Sequence, residues 1–465
     1  MEYILSTETF YENLFVNNRT RFHHQPGKRF NLFPFVGNNN TVPVTDLSKL
    51  LGQYLCEIND EYAEVLSVDE LCNLIKEDTE IQVGQEKVFK EVIAHIFYEK
   101  DGSPRPLNLQ MIMQLQCENT QEKKLADYLV DVLGDNEILK EELKYALIRS
   151  QKDGNVLEKE MISKIVFNKR DYKNKKNRKY FRLTDSLHEC FERDFKYIIE
   201  NPRRIREYLV SLLEIYYFSY TAQTCLQLNR FLYGERDRNI PIYFCLDWEK
   251  TNQNRPCFTE GWQQLQESIK KIFAHAIVLE ILNQTEENTP MIDYISLQQM
   301  INENPEMDFS IANQISNLTD CYREAITDCP DMSELQRVDT DIMGNTEAEI
   351  KYLFNSIKMQ FELKRNRPYT AYASQFEKYC DKFLKSRGRS GKMLTISEEL
   401  LIFLTKISIK DQEKMRLNDV FKEFEKRGIF VDDVSKEAIA TYYEKLNLIE
   451  KKSDSGDAKY VKRIL

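Results

Sequence analysis

Asp247, Glu249 and Lys250 stand directly after the apolar run 240–246, which reads as a strand. Acids followed by a lysine at a strand end are the groups with which nucleases of the PD-(D/E)xK type hold a divalent cation and activate water. The spacing departs from that pattern, because Glu249 and Lys250 are adjacent and no separate acid precedes them on a paired strand. These residues therefore read first as a structural ion pair beside a buried Trp248, with a metal-dependent nuclease using Asp247 and Glu249 as the alternative. His23 and His24 are a second candidate. Sequence neighbours do not share a face, however, and no Cys or further His lies close enough to complete a metal site. The run Gly388-Arg389-Ser390-Gly391-Lys392 matches a phosphate loop only in part: two residues rather than four separate its glycines, and Met393 follows the lysine. It reads as a flexible basic linker, so no nucleotide, metal or other cofactor is expected.

Positive charge is the stronger signal. Segment 164–182 holds nine Lys/Arg against one acid, Asp171, and interleaves Phe167, Tyr172, Tyr180 and Phe181. With the whole chain at -10, this +8 segment leaves the remainder at -18. Such a cluster neutralises several phosphates, and its aromatics can stack on exposed bases. The plainer reading is a solvated loop or a dock for an acidic partner. The nucleic-acid-binding candidates are Lys169, Arg170, Lys173, Lys175, Lys176, Arg178, Lys179 and Arg182, joined near the C-terminus by Lys451, Lys452, Lys459 and Lys462. Arg203, Arg204 and Arg206 stand at the start of a long helix, where the dipole also favours an anion. Segment 285–350 is the converse, fifteen acids and two Arg. It suits a basic partner, or folds back over the basic stretch and shields it.

The elements that must hold these groups are helical. From 45 to 153 the apolar spacing is that of helices throughout, with a capping box at Ser67 and Glu70, as in a bundle. Asn201 and Pro202 form a cap and first turn, and 209–232 is apolar on nearly every side, as a buried central helix would be. An amphipathic helix is expected over 261–282, and Thr346 with Glu349 should cap another that Pro368 breaks. Near the C-terminus, Thr395 and Glu398 form a capping box for a helix beginning near Ile396. Leu417, Val420, Phe421 and Phe424 mark a second helix, ending where Gly428 takes positive φ, and Ser435 opens a third. Two strands, 448–452 and 459–465, follow around a turn at Gly456. Three helices and a terminal hairpin are the order of a winged helix. That region carries fourteen bases and fourteen acids, and Glu437 and Glu444 offset Lys436 and Lys445 on its third helix. Phosphate contacts should come from the hairpin and from the linker's Lys385, Arg387, Arg389 and Lys392, with little base reading, which disfavours a transcriptional regulator.

At 465 residues the chain should form about three domains. The expectation is a mainly α, multi-domain protein: a helical domain over 1–155, a middle helical domain over 156–390 with the basic segment and one short strand region, and a winged-helix domain over 393–465. A hydrophobic share of 42% supplies ample core, and the acidic balance excludes a histone-like general binder. Ten Cys without a CxxC pair read as reduced, buried thiols of a cytoplasmic protein. The N-terminus lacks a basic signal region, and the most apolar run, 208–222, is interrupted by Glu214 and too short to span a bilayer. Neither a membrane nor a small-molecule substrate is expected.

The runs RLNDVFKEFEKRGIF at 416–430 and EKLNLIEKKSDSGDAKYVK at 444–462 resemble the DptG family, a component of bacterial DNA phosphorothioation-dependent restriction systems; segment 241–262 supports this less strongly. The resemblance covers about a quarter of the chain and includes no catalytic signature. It implies a noncatalytic subunit that works with DptF-like and DptH-like partners, the ATPase and helicase-like components, in restricting DNA that lacks the phosphorothioate mark.

Overall fold

The computed structural model describes residues 3–16, 19, 21–38, 40–134, 136–152, 156–169, 179–286, 289–337, 344–451 and 459–464. Nineteen α-helices lie among them, with four small sheets of two to four strands, so the protein is mainly α. No helix among the described residues is long and apolar enough to cross a membrane.

The core is laid around the helix Pro202–Leu228. Its start follows from local chemistry: Asn201 Oδ1 accepts the N–H groups of Arg203 (2.9 Å) and Arg204 (3.4 Å), and Pro202 has no N–H to satisfy. Every residue from 215 to 228 is buried. Phe218 packs on Phe244, Phe376 and Phe383, tying the helix to distant parts of the chain. Each such ring withdrawn from water contributes roughly 1.5–3 kcal/mol.

The expected amphipathic helix at 261–282 differs. It is a kinked turn, Phe258–Trp262, in which Glu260 and Gly261 leave helical geometry, then helices Gln263–Ile269 and Ile272–Leu282, and the last is buried on all sides. The acid on that buried helix, Glu280, accepts the N–H groups of Gly27, Lys28, Arg29 and Phe30 at 2.8–3.1 Å. A buried carboxylate thus binds the backbone of the N-terminal basic-aromatic loop, which buries Phe30, Leu32, Phe33 and Phe35. Burial still pushes Glu280 above the usual carboxylate range.

Local capping was partly legible. Ser67 and Glu70 make both bonds of their box. Thr346, by contrast, lies inside the helix Asn345–Leu363, whose first N–H groups are taken by Asp308 from another helix (3.0 and 2.9 Å). Pro368 falls in the first turn of the next helix, Asn366–Cys380, where its missing N–H costs little.

In the C-terminal region the three helices are Glu398–Ile409, Leu417–Lys426 and Asp433–Lys445. Ser397 caps the first and Asp432 the third, displaced by two or three residues from the expected Thr395 and Ser435. Gly428 takes φ +77°, as expected. The strands Ile449–Lys451 and Lys459–Lys462 pair antiparallel, and Lys414–Arg416 adds to the other edge of the latter. The turn at 452–458 lies outside the described residues.

A second sheet joins this region to the rest. Its order is Leu384–Ser386, Lys392–Ile396, Tyr243–Leu246, Phe430–Val431; the first two are antiparallel and the other pairings parallel. The expected flexible linker is therefore a β-hairpin, its glycines serving the turn, and the boundary expected between 390 and 393 falls inside it. Thr395 is a strand residue for the same reason. The strands of this hairpin, three and five residues long, are too short to leave a periodic trace in sequence.

Candidate nucleic-acid interface

The carboxylates suspected of catalysis are taken up in structure. Glu249 receives Arg255 Nη1 on one oxygen, and on the other the Leu246 N–H (3.0 Å) and the Ser435 hydroxyl (2.8 Å). Arg255 reaches on to Asp432 (Nε–Oδ2 2.9 Å) and Ser435 (2.8 Å). Burial pushes Asp432 up, but Arg255 and Ser435 override it and hold the carboxyl below its ordinary range. Asp247 meets Lys385, whose Nζ donates to its carbonyl oxygen (2.7 Å) and lies 3.8 Å from its carboxylate. The ion-pair reading thus holds for Glu249, whereas Trp248 is 40% exposed rather than buried and lies 5.1 Å from the Tyr442 ring. No group of three His, Cys, Asp or Glu among the described residues is arranged to hold a metal. His23 is exposed, while His24 packs edge-on against Phe22, Tyr322 and Phe361. Burial, aided by Arg365, pushes His24 down to about 3.

The basic segment is anchored at both ends. Phe167–Lys169 pairs antiparallel with Glu61–Ala63. On the far side, the N–H groups of Lys179 and Tyr180 donate to Asp131 Oδ2 (2.8 and 2.9 Å), with Tyr180 buried against Tyr128. Arg170, Lys173, Lys175, Lys176 and Arg178 lie between these anchors, outside the described residues, as does Lys452. Lys169 is exposed and makes no ion pair with a described residue. Lys179 lies 3.7 Å from Asp127; Arg182 meets Asp185 (2.9 Å) and His188 (2.6 Å). These acids are local. Among the described residues, carboxylates of 285–350 pair with Arg236, Arg337, Lys351 and Arg365; the expected shielding of the basic segment turns on 170–178, which lie outside the described residues.

The terminal hairpin is partly neutralised as well. Lys451 and Lys459 share Glu444 of the third helix (3.4 and 3.2 Å), whereas Lys462 is exposed without an ion pair to a described residue. The exposed positions of that helix include Asp433, Glu437, Glu444 and Lys445, and Lys436 lies 3.6 Å from Asp433, so the helix offers phosphate no cationic face.

The cations gather elsewhere, in a cleft of about 250 Å³ between the N-terminus of Pro202–Leu228 and the last residues of the chain. Arg204 lies 3.7 Å over the Tyr197 ring, donates to the Tyr197 carbonyl (3.0 Å) and pairs with Asp411 (2.8 Å). Arg463 approaches the same Asp411 at 3.9 Å. Lys406 donates to the Tyr208 hydroxyl (2.7 Å), and Arg203 pairs with Glu207 (2.7 Å), holding that carboxyl below its usual range. Arg206 does not line the cleft; it is exposed and makes no ion pair with a described residue. No protein-family model matches this chain, and no curated protein is significantly similar to it.

The cleft therefore has to be read on its own chemistry. Four cations face two carboxylates, both carboxylates are accessible, and Tyr197 and Tyr208 give the floor an aromatic surface. An exposed ion pair is worth little against water, so a phosphate can replace Asp411 or Glu207 as partner at small cost. Arg203, Arg204 and Arg206 were legible from the helix start; Lys406, Tyr197 and Tyr208 were not. No spacing within the chain singles them out, and folding is what brings their three helices together. The helix His188–Ile199 connects Arg182 to this cleft, placing Tyr197 roughly 14 Å beyond His188 at about 1.5 Å per residue.

Proposed function

We propose that the chain is a noncatalytic accessory subunit of a bacterial antiphage restriction complex, bridging partner subunits and contacting the DNA backbone without sequence preference. One observation carries this reading: cations, two exposed and two half-buried, collect in the Arg203–Arg204–Lys406–Arg463 cleft, with exposed lysines at the anchored ends of the basic segment, while Glu249 is consumed in a buried ion pair. The helix, strand and hairpin order of the C-terminal region, with its three-stranded sheet, supports a winged-helix module. Its third helix is tied by Asp432 to Arg255 and exposes acids, which favours protein docking over major-groove reading. The resemblance to DptG supplies the setting: cytoplasmic, with DptF-like and DptH-like partners.

The test is co-purification with the neighbouring operon products, followed by DNA retention at two salt concentrations. Replacing Lys173, Lys175, Lys176, Arg178 and Lys179 by Ala should weaken retention and lower the slope of log affinity against log salt by up to about 0.9 for each phosphate no longer neutralised. Unchanged binding and slope would remove the DNA-contacting part. Metal-dependent cleavage by the isolated protein that Asp247→Ala abolishes would replace the noncatalytic reading with the nuclease.

A further inference from the structure

Cys245 and Cys257 pack together, with Met393, Tyr243 and Phe258 beside them, in a small buried cluster separate from the main core. Cys245 belongs to the strand Tyr243–Leu246, and Cys257 immediately precedes the kinked turn Phe258–Trp262 that crosses this strand. The crossing is close because Gly261 has no side chain: a Cβ there would come 2.7 Å from the Tyr243 carbonyl oxygen. With the backbones nearly touching at 243 and 261, the side chains of 245 and 257 share one small buried cluster, in which the Cys245 thiol donates to the Leu394 carbonyl (3.6 Å). A cation completes the group. Arg387, from the hairpin turn, places Nη2 3.9 Å from Cys245 Sγ while donating to the Leu246 carbonyl (2.7 Å), and its Nε is buried without a hydrogen-bond partner.

We propose that Cys245 and Cys257 are a peroxide-responsive dithiol that closes to a disulfide across the sheet joining the C-terminal region to the rest of the chain. The Cys245 thiolate attacks one oxygen of hydrogen peroxide, the O–O bond breaks, and the departing hydroxide takes up the thiol's proton as water, leaving a sulfenic acid. The Cys257 sulfur then attacks the Cys245 sulfur; the S–O bond breaks, and a second water leaves with the Cys257 proton. Two thiols are oxidised by two electrons, and one peroxide is reduced to two waters. The neighbouring Cys257 and the Arg387 charge hold Cys245 below the ordinary thiol range against the opposing effect of burial, and Arg387 Nη2 lies beside Cys245 Sγ (3.9 Å), which makes Cys245 the attacking sulfur. Cys257 is pushed up, as suits the second thiol. By contrast, Cys225 and Cys380 deep in the core are simply driven up by burial. The new bond would fasten the strand to the segment carrying Arg255, the residue that holds Asp432 and with it the third C-terminal helix.

The intact protein is treated with hydrogen peroxide, the remaining thiols are blocked with N-ethylmaleimide under denaturing conditions, and peptides are mapped by mass without reduction. The expected result is the loss of two of the ten thiols as one Cys245–Cys257 cross-link, restored by dithiothreitol. Cys257→Ala should lose the cross-link and carry Cys245 on to sulfinic acid. Arg387→Met should slow closure about tenfold, the effect of about one unit in thiol pKa on the thiolate fraction. Cross-links spread among other cysteines, or an Arg387→Met protein that closes at the wild-type rate, would overturn the proposal. The wild-type map decides the pairing by itself should the alanine variant not fold.

Discussion

Asp194 and Asp411 each meet two basic side chains, yet one group is sealed and the other open. Asp194 is fully buried and takes both Arg427 nitrogens (2.7 and 2.8 Å), Lys410 (3.0 Å) and the Tyr216 hydroxyl (2.8 Å). Asp411 has 61% of its side chain in water and meets Arg204 and Arg463. The two contacts arise from neighbouring residues: Lys410 turns inward at the end of Glu398–Ile409, with φ +55°, and Asp411 turns outward. Inside, no water screens the charges, so each partner is obligatory; outside, water and salt weaken the pairing to a few tenths of a kcal/mol. Identical residue types are therefore structural at the buried junction and available to a ligand in the cleft.

The comparison breaks first at Arg427. Arg427→Met leaves Asp194 buried with one cation in place of two and should cost about 3–5 kcal/mol in urea unfolding, whereas Arg427→Met with Asp194→Leu should regain much of that. A single-variant loss below about 1 kcal/mol would mean the junction is wetter than the structure has it.

Acid reads the same sealing next. Burial pushes His275 down to about 3 from an ordinary 6.5, and its ring sits against Phe231, Tyr294 and Phe354. Between those values the unfolded chain holds a proton that the folded ring refuses. Stability from this group is thus complete above about pH 6.5 and drains as pH falls toward 3, at most about 1.4 kcal/mol per pH unit. His275→Gln should flatten that limb of a pH series of unfolding curves; an unchanged slope would show the ring to be accessible.

The open side makes opposite demands. Arg204→Ala with Arg463→Ala should reduce the salt slope of DNA binding by about one for each phosphate left unneutralised, while the protein stays folded by circular dichroism. Asp411→Asn should do the reverse, freeing both arginines and tightening DNA binding about two- to fivefold, the effect of a surface ion pair. If Asp411→Asn instead lowers the melting temperature sharply, the cleft belongs with the sealed junction.

Local chemistry was sufficient for the parts of this molecule whose causes lie within a few residues. The Asn201–Pro202 start, the Ser67–Glu70 box, the Gly428 turn, the buried run of the central helix and the order of the C-terminal helices could all be read in chain order, because caps and helical faces are set by neighbours three or four positions apart. Tertiary structure alone decided the rest. It turned the linker at 388–391 into a hairpin, moved Thr395 from a cap into a strand, and committed Glu249 to Arg255. It also left acids of the third C-terminal helix facing water and assembled Tyr197, Tyr208, Lys406 and Arg463 into one cleft. The cleft joins residues from 197 to 463, whereas the hairpin and the Glu249–Arg255 pair bring together neighbours six to ten positions apart that no helical or strand period marks; whether a charge is sealed or wet is a property of what folds over it.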